Sequence, residues 1–193
     1  MKVLIACEFS GIVREAFKEK GHDAVSCDLL PTEIPGKHIQ GDILQHLNEN
    51  WDLMIAHPPC TYLCNSGVSW LYKREGRWKE VEKGAIFFKK LLDTDIEKIA
   101  IENPIMHKYA VNIIGRRQDQ IIQPYMFGHG ETKATCLWLK NLSKLKPTKE
   151  VEGRIQRLHK LPPSKDRWRE RSRTYKGIAE AMAEQWGAGV QKK

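Results

Sequence analysis

The alternation of short apolar segments with amphipathic ones limits the fold of this 193-residue chain more than any other feature. Residues 2–7 and 23–28 have the length and residue types of buried strands. Between them, residues 10–20 carry apolar side chains at helical spacing, and Gly21 follows as a stop signal. Strands that alternate with helices form a mostly parallel sheet with helices on both faces. The sequence therefore predicts an α/β fold built on a mostly parallel, Rossmann-like sheet.

The same pattern continues toward the carboxyl terminus. Further strand-like segments are predicted at residues 39–43, 53–56, 98–101 and 133–140, and further helices at 78–92, 106–114 and 177–186. The strand at 98–101 is expected to break at Asn103 and Pro104, because proline cannot donate a ladder hydrogen bond.

The excess positive charge lies in the last quarter of the chain. The formal net charge is +8, and residues 141–193 hold 14 Lys and Arg against 6 Asp and Glu, whereas the preceding residues are balanced. The basic residues are densest at 165–173, where Trp168 lies among arginines, a composition that suits a phosphate backbone. A solvated basic tail explains the same composition, so both interpretations stay open.

The five cysteines form neither a disulfide framework nor a zinc motif. They are odd in number and scattered, which favours reduced thiols in a cytoplasm. Cys60 and Cys64 are four residues apart, but no Cys or His pair follows at zinc-finger spacing, so we expect no metal site. Apolar runs stay well below the ~20 residues of a membrane-spanning helix, so we expect no membrane contact.

Pro58-Pro59-Cys60-Thr61 directly follows the apolar run 53–56. Proline fixes its own φ and restricts the preceding residue, so the tetrad predicts a stiff turn at the carboxyl end of a strand. Open α/β sheets bind their ligands at this edge. The Cys60 thiol is therefore well placed for nucleophilic attack.

Five short motifs occur in order along the first half of the chain. They are Cys7-Glu8-Phe9-Ser10-Gly11, Asp28, Gly41-Asp42-Ile43, Pro58-Pro59-Cys60 and Ile101-Glu102-Asn103-Pro104. With these motifs the chain resembles a small DNA cytosine-5 methyltransferase of the kind that phages and prophages carry. The resemblance covers roughly residues 2–104, with a weaker match in the carboxyl-terminal helix. It implies a methyltransferase sheet and a location in the cytoplasm of a bacterium or a phage-infected host.

The resemblance implies catalytic roles for two residues. Cys60 would add to carbon 6 of cytosine, which makes carbon 5 nucleophilic toward the methyl group of S-adenosylmethionine. Glu102 would hydrogen-bond N3 and the exocyclic amine of the ring, and burial would keep its carboxyl partly protonated. The alternatives are that Cys60 is only a small buried residue and that Glu102 only forms an ion pair.

The resemblance also implies an S-adenosylmethionine site. The residues assigned to it are Phe9, Ser10, Gly11, Asp28, Asp42 and Pro58. Asp28 would bind the ribose hydroxyls and Asp42 the adenine. Taken singly, a glycine serves any tight turn and an aspartate is a common turn residue. Their position on adjacent strands of one sheet edge is what favours a cofactor.

A third group of residues is expected to contact the target nucleotide. It comprises Thr61, Asn103, Gln123, His129, Lys133, Thr135, Arg171 and Arg173. The match thins beyond residue 104, where this chain offers Gln123, Lys133 and Thr135 in a region in which the family has a glutamine and arginines. Thr61 replaces the glutamine that usually follows the nucleophile.

The main departure from the family concerns target recognition. Full-size enzymes carry a separate recognition domain, whereas about 35 residues separate Leu139 from Thr174 here, too few for a second core. A cytosine inside a duplex must be flipped out before a thiol can reach it. We assign residues 1–140 to the catalytic domain and 141–193 to a basic segment that completes it and contacts nucleic acid. The expected substrate is single- or double-stranded DNA, with a partner protein or oligomer as a further source of recognition.

Two other functions remain open at this stage. One is an enzyme of the same fold that modifies free pyrimidine nucleotides or transfers a modified one-carbon group. The other is a DNA-binding module that has lost catalysis. An amino-methyltransferase is disfavoured, because an aromatic residue that stacks on the base would be expected after the two prolines instead of Cys60.

Overall fold

The computed structural model describes residues 1–188, which contain a seven-stranded sheet with strand order β3-β2-β1-β4-β5-β7-β6. The strands are β1 (Lys2–Ala6), β2 (Asp23–Asp28), β3 (His38–Gln40), β4 (Leu53–Ala56), β5 (Lys98–Pro104), β6 (Gln120–Ile122) and β7 (Thr135–Lys140). The first five strands pair in parallel, and β7 runs antiparallel to both β5 and β6. The predicted α/β fold with a mostly parallel sheet is confirmed.

Helices cover both faces of the sheet, as predicted. They are α1 (Ile12–Glu19), α2 (Arg77–Leu92), α3 (Lys108–Ile114), α4 (Arg157–Lys160), α5 (Arg167–Ser172) and α6 (Lys176–Gly187), with 3-10 segments at Ile43–Gln45, Asn65–Tyr72 and Pro124–Met126. Side chains alternate between the faces of a strand, so Val3 and Ile5 pack with α1 and α6, whereas Leu4 packs with α2 and α3. Within residues 1–188, no helix combines the length and apolar character needed to cross a bilayer.

The predicted break after residue 101 is wrong, because β5 continues to Pro104. The antiparallel neighbour β7 pairs Asn103 with Cys136 and Pro104 with Thr135, and so extends the strand past the point where β4 ends. Glu102 therefore lies inside a strand rather than on a loop. β6, α4 and α5 were not predicted, and residues 189–193 of the predicted basic segment lie outside the described residues.

The start of α6 is fixed by a close backbone approach. The Gly177 amide donates to Nε2 of His129 at 3.1 Å, and a Cβ atom at residue 177 would lie 1.9 Å from the carbonyl oxygen of Phe127. Only glycine fits this contact. The contact holds α6 against the sheet and so places Thr174, just before the helix, next to Glu102, where its hydroxyl donates to Oε2 at 3.3 Å.

Gly177→Ala is expected to destabilise the protein by about 3 kcal/mol or more, because the clash is with backbone that cannot rotate away. Urea unfolding followed by circular dichroism measures the change. Gly84→Ala in α2 is the matched control, since its Cβ would approach a side-chain atom of Leu63 no closer than 3.3 Å, and alanine favours helix. We expect that control to change stability by less than about 1 kcal/mol. Equal stability losses in the two variants would contradict this account of the α6 contact.

Candidate active site

A cleft of about 1050 Å³ opens at the carboxyl ends of β4 and β5. Its floor is formed by the turn after β4 and by the end of β5, and one wall is formed by residues 156–172 of the basic segment. Eight of the predicted site residues line it, namely Pro58, Cys60, Thr61, Glu102, Asn103, Gln123, Lys133 and Arg171. The cleft lies at the sheet edge where α/β folds bind ligands.

Three predicted nucleotide-contacting residues do not line the cleft. Thr135 is buried at the start of β7, and His129 accepts the Gly177 amide. Arg173 forms a bidentate ion pair with Glu33, with both nitrogen–oxygen distances 2.8 Å, and also contacts Glu170. This ion pair ties the basic segment to the loop after β2.

The Cys60 turn is held from β5. Asn103 is buried, and its Nδ2 donates to the carbonyl oxygen of Pro58 at 2.9 Å. The Cys60 carbonyl accepts the amides of Leu63 and Cys64, both at 3.0 Å, so the chain turns helically and places the two thiols one turn apart. The side chains of Cys60 and Cys64 both line the cleft, and each shifts the pKa of the other.

The two thiols have opposite electrostatic environments. The hydrogen bond to Cys64 and burial raise the pKa of the Cys60 thiol. The hydrogen bond from Cys60 lowers the pKa of Cys64, with further help from Ser66, whose Oγ lies 3.2 Å from Sγ, from the Gly67 amide and from the charge of Arg171. These environments therefore favour the thiolate on Cys64 over the thiolate on Cys60.

Glu102 is paired with His57, a residue that the sequence analysis did not select. Nδ1 of His57 lies 2.9 Å from Oε2 of Glu102, and both side chains are only 11% exposed. Burial alone would raise the pKa of Glu102, but the His57 hydrogen bond and the charges of Lys133 and His57 outweigh it and lower this pKa to about 2. The expectation of a partly protonated Glu102 is therefore wrong.

The pKa of His57 is shifted upward, in the direction opposite to that of Glu102. Burial lowers the pKa of its imidazole, but the hydrogen bond and charge of Glu102 and the charge of Glu8 raise it more, against a smaller opposing effect of Lys133. The Nε2 atom of His57 is buried and has no hydrogen-bond partner within residues 1–188. The only signal in the sequence was its position, a histidine directly before Pro58 and Pro59.

Glu8 is a second buried carboxylate that the sequence analysis did not assign. Its oxygens accept the amides of Val13 at 2.7 Å and Arg14 at 3.2 Å and the hydroxyl of Ser10 at 3.1 Å. Burial raises the pKa of this carboxyl, although His57 and these hydrogen bonds oppose the shift. Glu8 thus occupies the amino terminus of α1, where an anionic ligand would otherwise bind.

Of the predicted cofactor residues, Pro58 lines the cleft, whereas Phe9, Ser10, Gly11, Asp28 and Asp42 do not. The loop after β1 contains two left-handed residues, Cys7 at φ 57° and Gly11 at φ 77°, and the first of these is unusual for a residue with a side chain. Asp28 ends β2 and Asp42 follows β3, and burial together with the charges of these two aspartates raises the pKa of Cys7. The structure therefore brings both carboxylates to the same loop.

Each of these groups also has a structural role. Asp28 accepts the amide of Leu30 at 2.9 Å, and Asp42 accepts that of Leu44 at 3.0 Å. Phe9 is 7% exposed because it lies against Trp168 of α5, with 5.5 Å between the ring centroids. The basic segment therefore covers the loop after β1.

Comparisons with known proteins identify the fold. No family model and no curated protein sequence matches the chain. A crystal structure described as a DNA modification methyltransferase encoded within a prophage of E. coli matches with a TM-score of 0.51 and 14% identity, over 83% of this chain and 55% of that one. The Entamoeba histolytica methyltransferase EhMeth matches with a TM-score of 0.47 and 19% identity, over 77% and 57%. The chain spans little more than half the length of these proteins, and the first match shows a methyltransferase fold.

Iodoacetamide at pH 6.5 is expected to modify Cys64 about 10-fold faster than Cys60, because only the thiolate reacts. Peptide mapping by mass spectrometry measures both rates. In Cys64→Ser the fast reaction at residue 64 should disappear, and Cys60 should react faster than in the unaltered protein, because the neighbouring thiolate that raises its pKa is gone. Faster modification of Cys60 in the unaltered protein would contradict the assignment of the charge to Cys64.

Proposed function

We propose that the chain is an S-adenosylmethionine-dependent DNA cytosine-5 methyltransferase. The observation that carries this proposal is that Cys60 and Glu102, from adjacent strands β4 and β5, line one cleft in a methyltransferase fold. The similar E. coli prophage structure is described as a DNA modification methyltransferase, which supports DNA as the substrate. Because the chain spans 55% of that protein, its activity and partners are part of the proposal.

Cys60 would act as the nucleophile and Cys64 as the acceptor of its proton. As the Cys60 sulfur bonds to carbon 6 of cytosine, its proton passes to the neighbouring Cys64 thiolate, and the electron pair of the 5,6 double bond moves into the ring toward N3. Carbon 5, made nucleophilic by this addition, would receive the methyl group that bound S-adenosylmethionine supplies. The carbon 5 proton would then pass to water as the carbon 6–sulfur bond breaks, and the Cys60 sulfur would take its proton back from Cys64, which restores the aromatic ring.

The Glu102–His57 pair would supply the proton that N3 requires. An ionised Glu102 can accept a hydrogen bond from the exocyclic amine of cytosine, but it cannot donate to N3. Nδ1 of His57 lies 2.9 Å from Oε2 of Glu102, and a proton on Nδ1 would lie in this hydrogen bond. As N3 gains negative charge during the attack, this proton can move to Glu102 and be donated onward. The pair would therefore donate to N3 the proton that was expected from a protonated Glu102 alone.

The loop after β1 fits a cofactor without phosphate groups. A dinucleotide would place its pyrophosphate at the amino terminus of α1, but the Glu8 carboxylate already accepts the Val13 and Arg14 amides there. S-adenosylmethionine has no phosphate and offers hydroxyl and amine donors, which suit the carboxylates of Asp28 and Asp42. When bound, it supplies the methyl group. Phe9, Ser10, Gly11 and Pro58 would complete its site.

Residues of the cleft would hold the target nucleotide and its neighbours. Gln123 accepts the Lys133 amide at 3.0 Å and so fixes the segment that directs Lys133 toward Glu102. Asn103 has a buried Oδ1 without a partner in the described part of the chain, beside the Pro58 turn. Thr61 and Arg171 are exposed at the cleft, where a phosphate could reach them.

DNA containing 5-fluorocytosine tests this function, because fluorine cannot leave as a proton does. With S-adenosylmethionine present, a covalent protein–DNA adduct should accumulate and migrate as one species in denaturing gels. Cys60→Ala should form none. Cys136→Ala, which removes a buried thiol of β7 outside the cleft, should form the adduct at the unaltered rate.

Two further variants identify the supporting groups. Glu102→Gln should slow adduct formation by about 100-fold or more, since it removes the proton path to N3. Asp28→Ala should raise the half-saturating S-adenosylmethionine concentration about 10-fold, because the cofactor loses one hydrogen bond to a charged group. No adduct on single- or double-stranded DNA, or an adduct in Cys60→Ala, would refute the proposed function.

A further inference from the structure

Two half-exposed tryptophans stand at the cleft that holds Cys60. Trp70 belongs to the 3-10 segment Asn65–Tyr72 and is 43% exposed, and Trp168 belongs to α5 and is 47% exposed. Both line the cleft, from two segments that are almost 100 residues apart in the sequence. A large apolar ring that remains exposed in a cleft is available to a ligand with a flat face.

Each of these rings is accompanied by cationic groups. The guanidinium carbon of Arg74 lies 4.6 Å from the Trp70 ring centroid, and that of Arg169 lies 5.4 Å from the Trp168 centroid. Four other cationic residues line the cleft itself, namely Arg77, Lys133, Arg167 and Arg171. Exposed aromatic rings among arginines are the combination that binds the bases and phosphates of a single strand.

The size of the cleft disfavours a duplex at the thiol. A volume of about 1050 Å³ is close to the upper end of small-ligand pockets and can hold a nucleotide with its immediate neighbours. Residues 156–172 form a wall of this cleft. They therefore do not form a separate outer surface that could bind a duplex. In a duplex the bases are already stacked on one another, so they cannot stack on exposed protein rings before the strands separate.

We propose that Trp70 and Trp168 stack on unpaired bases that flank the target cytosine, so that the substrate of the Cys60 site is single-stranded DNA. This inference rests on the proposed function in taking DNA as the polymer and Cys60 as the position of the target base. The arginines beside the two rings neutralise the adjacent phosphates. Recognition then depends on stacking and charge and tolerates different flanking bases.

Binding of fluorescein-labelled 12-nucleotide DNA, followed by fluorescence anisotropy with Cys60→Ala as the parent protein and no cofactor, tests the proposal apart from catalysis. The single strand should bind at least about 10-fold tighter than the duplex of the same sequence. Trp70→Ala and Trp168→Ala should each weaken single-strand binding by about 5- to 150-fold and leave duplex binding unchanged. Trp70→Phe should keep most of the affinity.

Trp78→Ala is the matched control. Trp78 is also 43% exposed, but it lies outside the cleft lining and packs edge-on against Tyr72 and Tyr109. Its replacement should leave single-strand binding unchanged, and circular dichroism melting verifies that all variants fold.

Several outcomes would overturn the inference without touching the proposed function. They are equal or tighter binding of the duplex, tighter binding of a labelled RNA strand of the same sequence, and single-strand binding that neither Trp70→Ala nor Trp168→Ala weakens. An adduct that forms only on duplex DNA would also overturn the inference. Conversely, Trp70-dependent single-strand binding without any 5-fluorocytosine adduct would support this surface and refute the methyltransferase chemistry.

Discussion

The buried ion pair between Glu102 and His57 is the interaction on which the rest of the site depends. The parallel pairing of β4 and β5 ends at Ala56 and Ile101, so the next residue of each strand lies beside the other, 2.9 Å apart at the nearest side-chain atoms. Thr174 adds a hydrogen bond to the same carboxylate from the start of α6. Removing one partner of such a buried pair typically costs about 3–5 kcal/mol, because the remaining charge is left uncompensated. The pair therefore fixes the floor of the cleft as well as its chemistry.

The pair also sets the pH range in which the site is stable. The lowered pKa of Glu102 contributes stability above its ordinary value of 4.5, and this is lost as the pH falls toward about 2. The raised pKa of His57 contributes stability that is complete below its ordinary value of 6.5 and is lost as the pH rises through the folded-state value. Both contributions are complete between pH 4.5 and 6.5. As the pH rises through the raised folded-state pKa, the proton that the reaction needs is lost from His57.

Much of the fold was predictable because its signals are local. β2 and β4 have the bounds that their apolar runs predicted, and the positions of the predicted strands placed Asp28 and Asp42 at one sheet edge. The end of β5 was not predictable, since it depends on antiparallel pairing with β7, which lies 30 residues later in the chain. The protonation of Glu102 was mispredicted for a similar reason, because burial was visible in the sequence pattern but the His57 contact was not. Trp70 and Trp168 both line the cleft because of the tertiary structure, so their shared position could not be predicted from the sequence.

The charge state of His57 tests this account most directly. Imidazole ¹⁵N resonances of the labelled protein, with His57 assigned by comparison with His57→Asn, can be followed from pH 5 to 9. The account predicts that His57 remains an imidazolium at pH 6.5 and titrates with a midpoint clearly above that ordinary value. In Glu102→Gln the midpoint should fall, since the carboxylate that holds the proton is gone. A neutral His57 at pH 6.5 in the unaltered protein would contradict the ion pair and the proton path built on it.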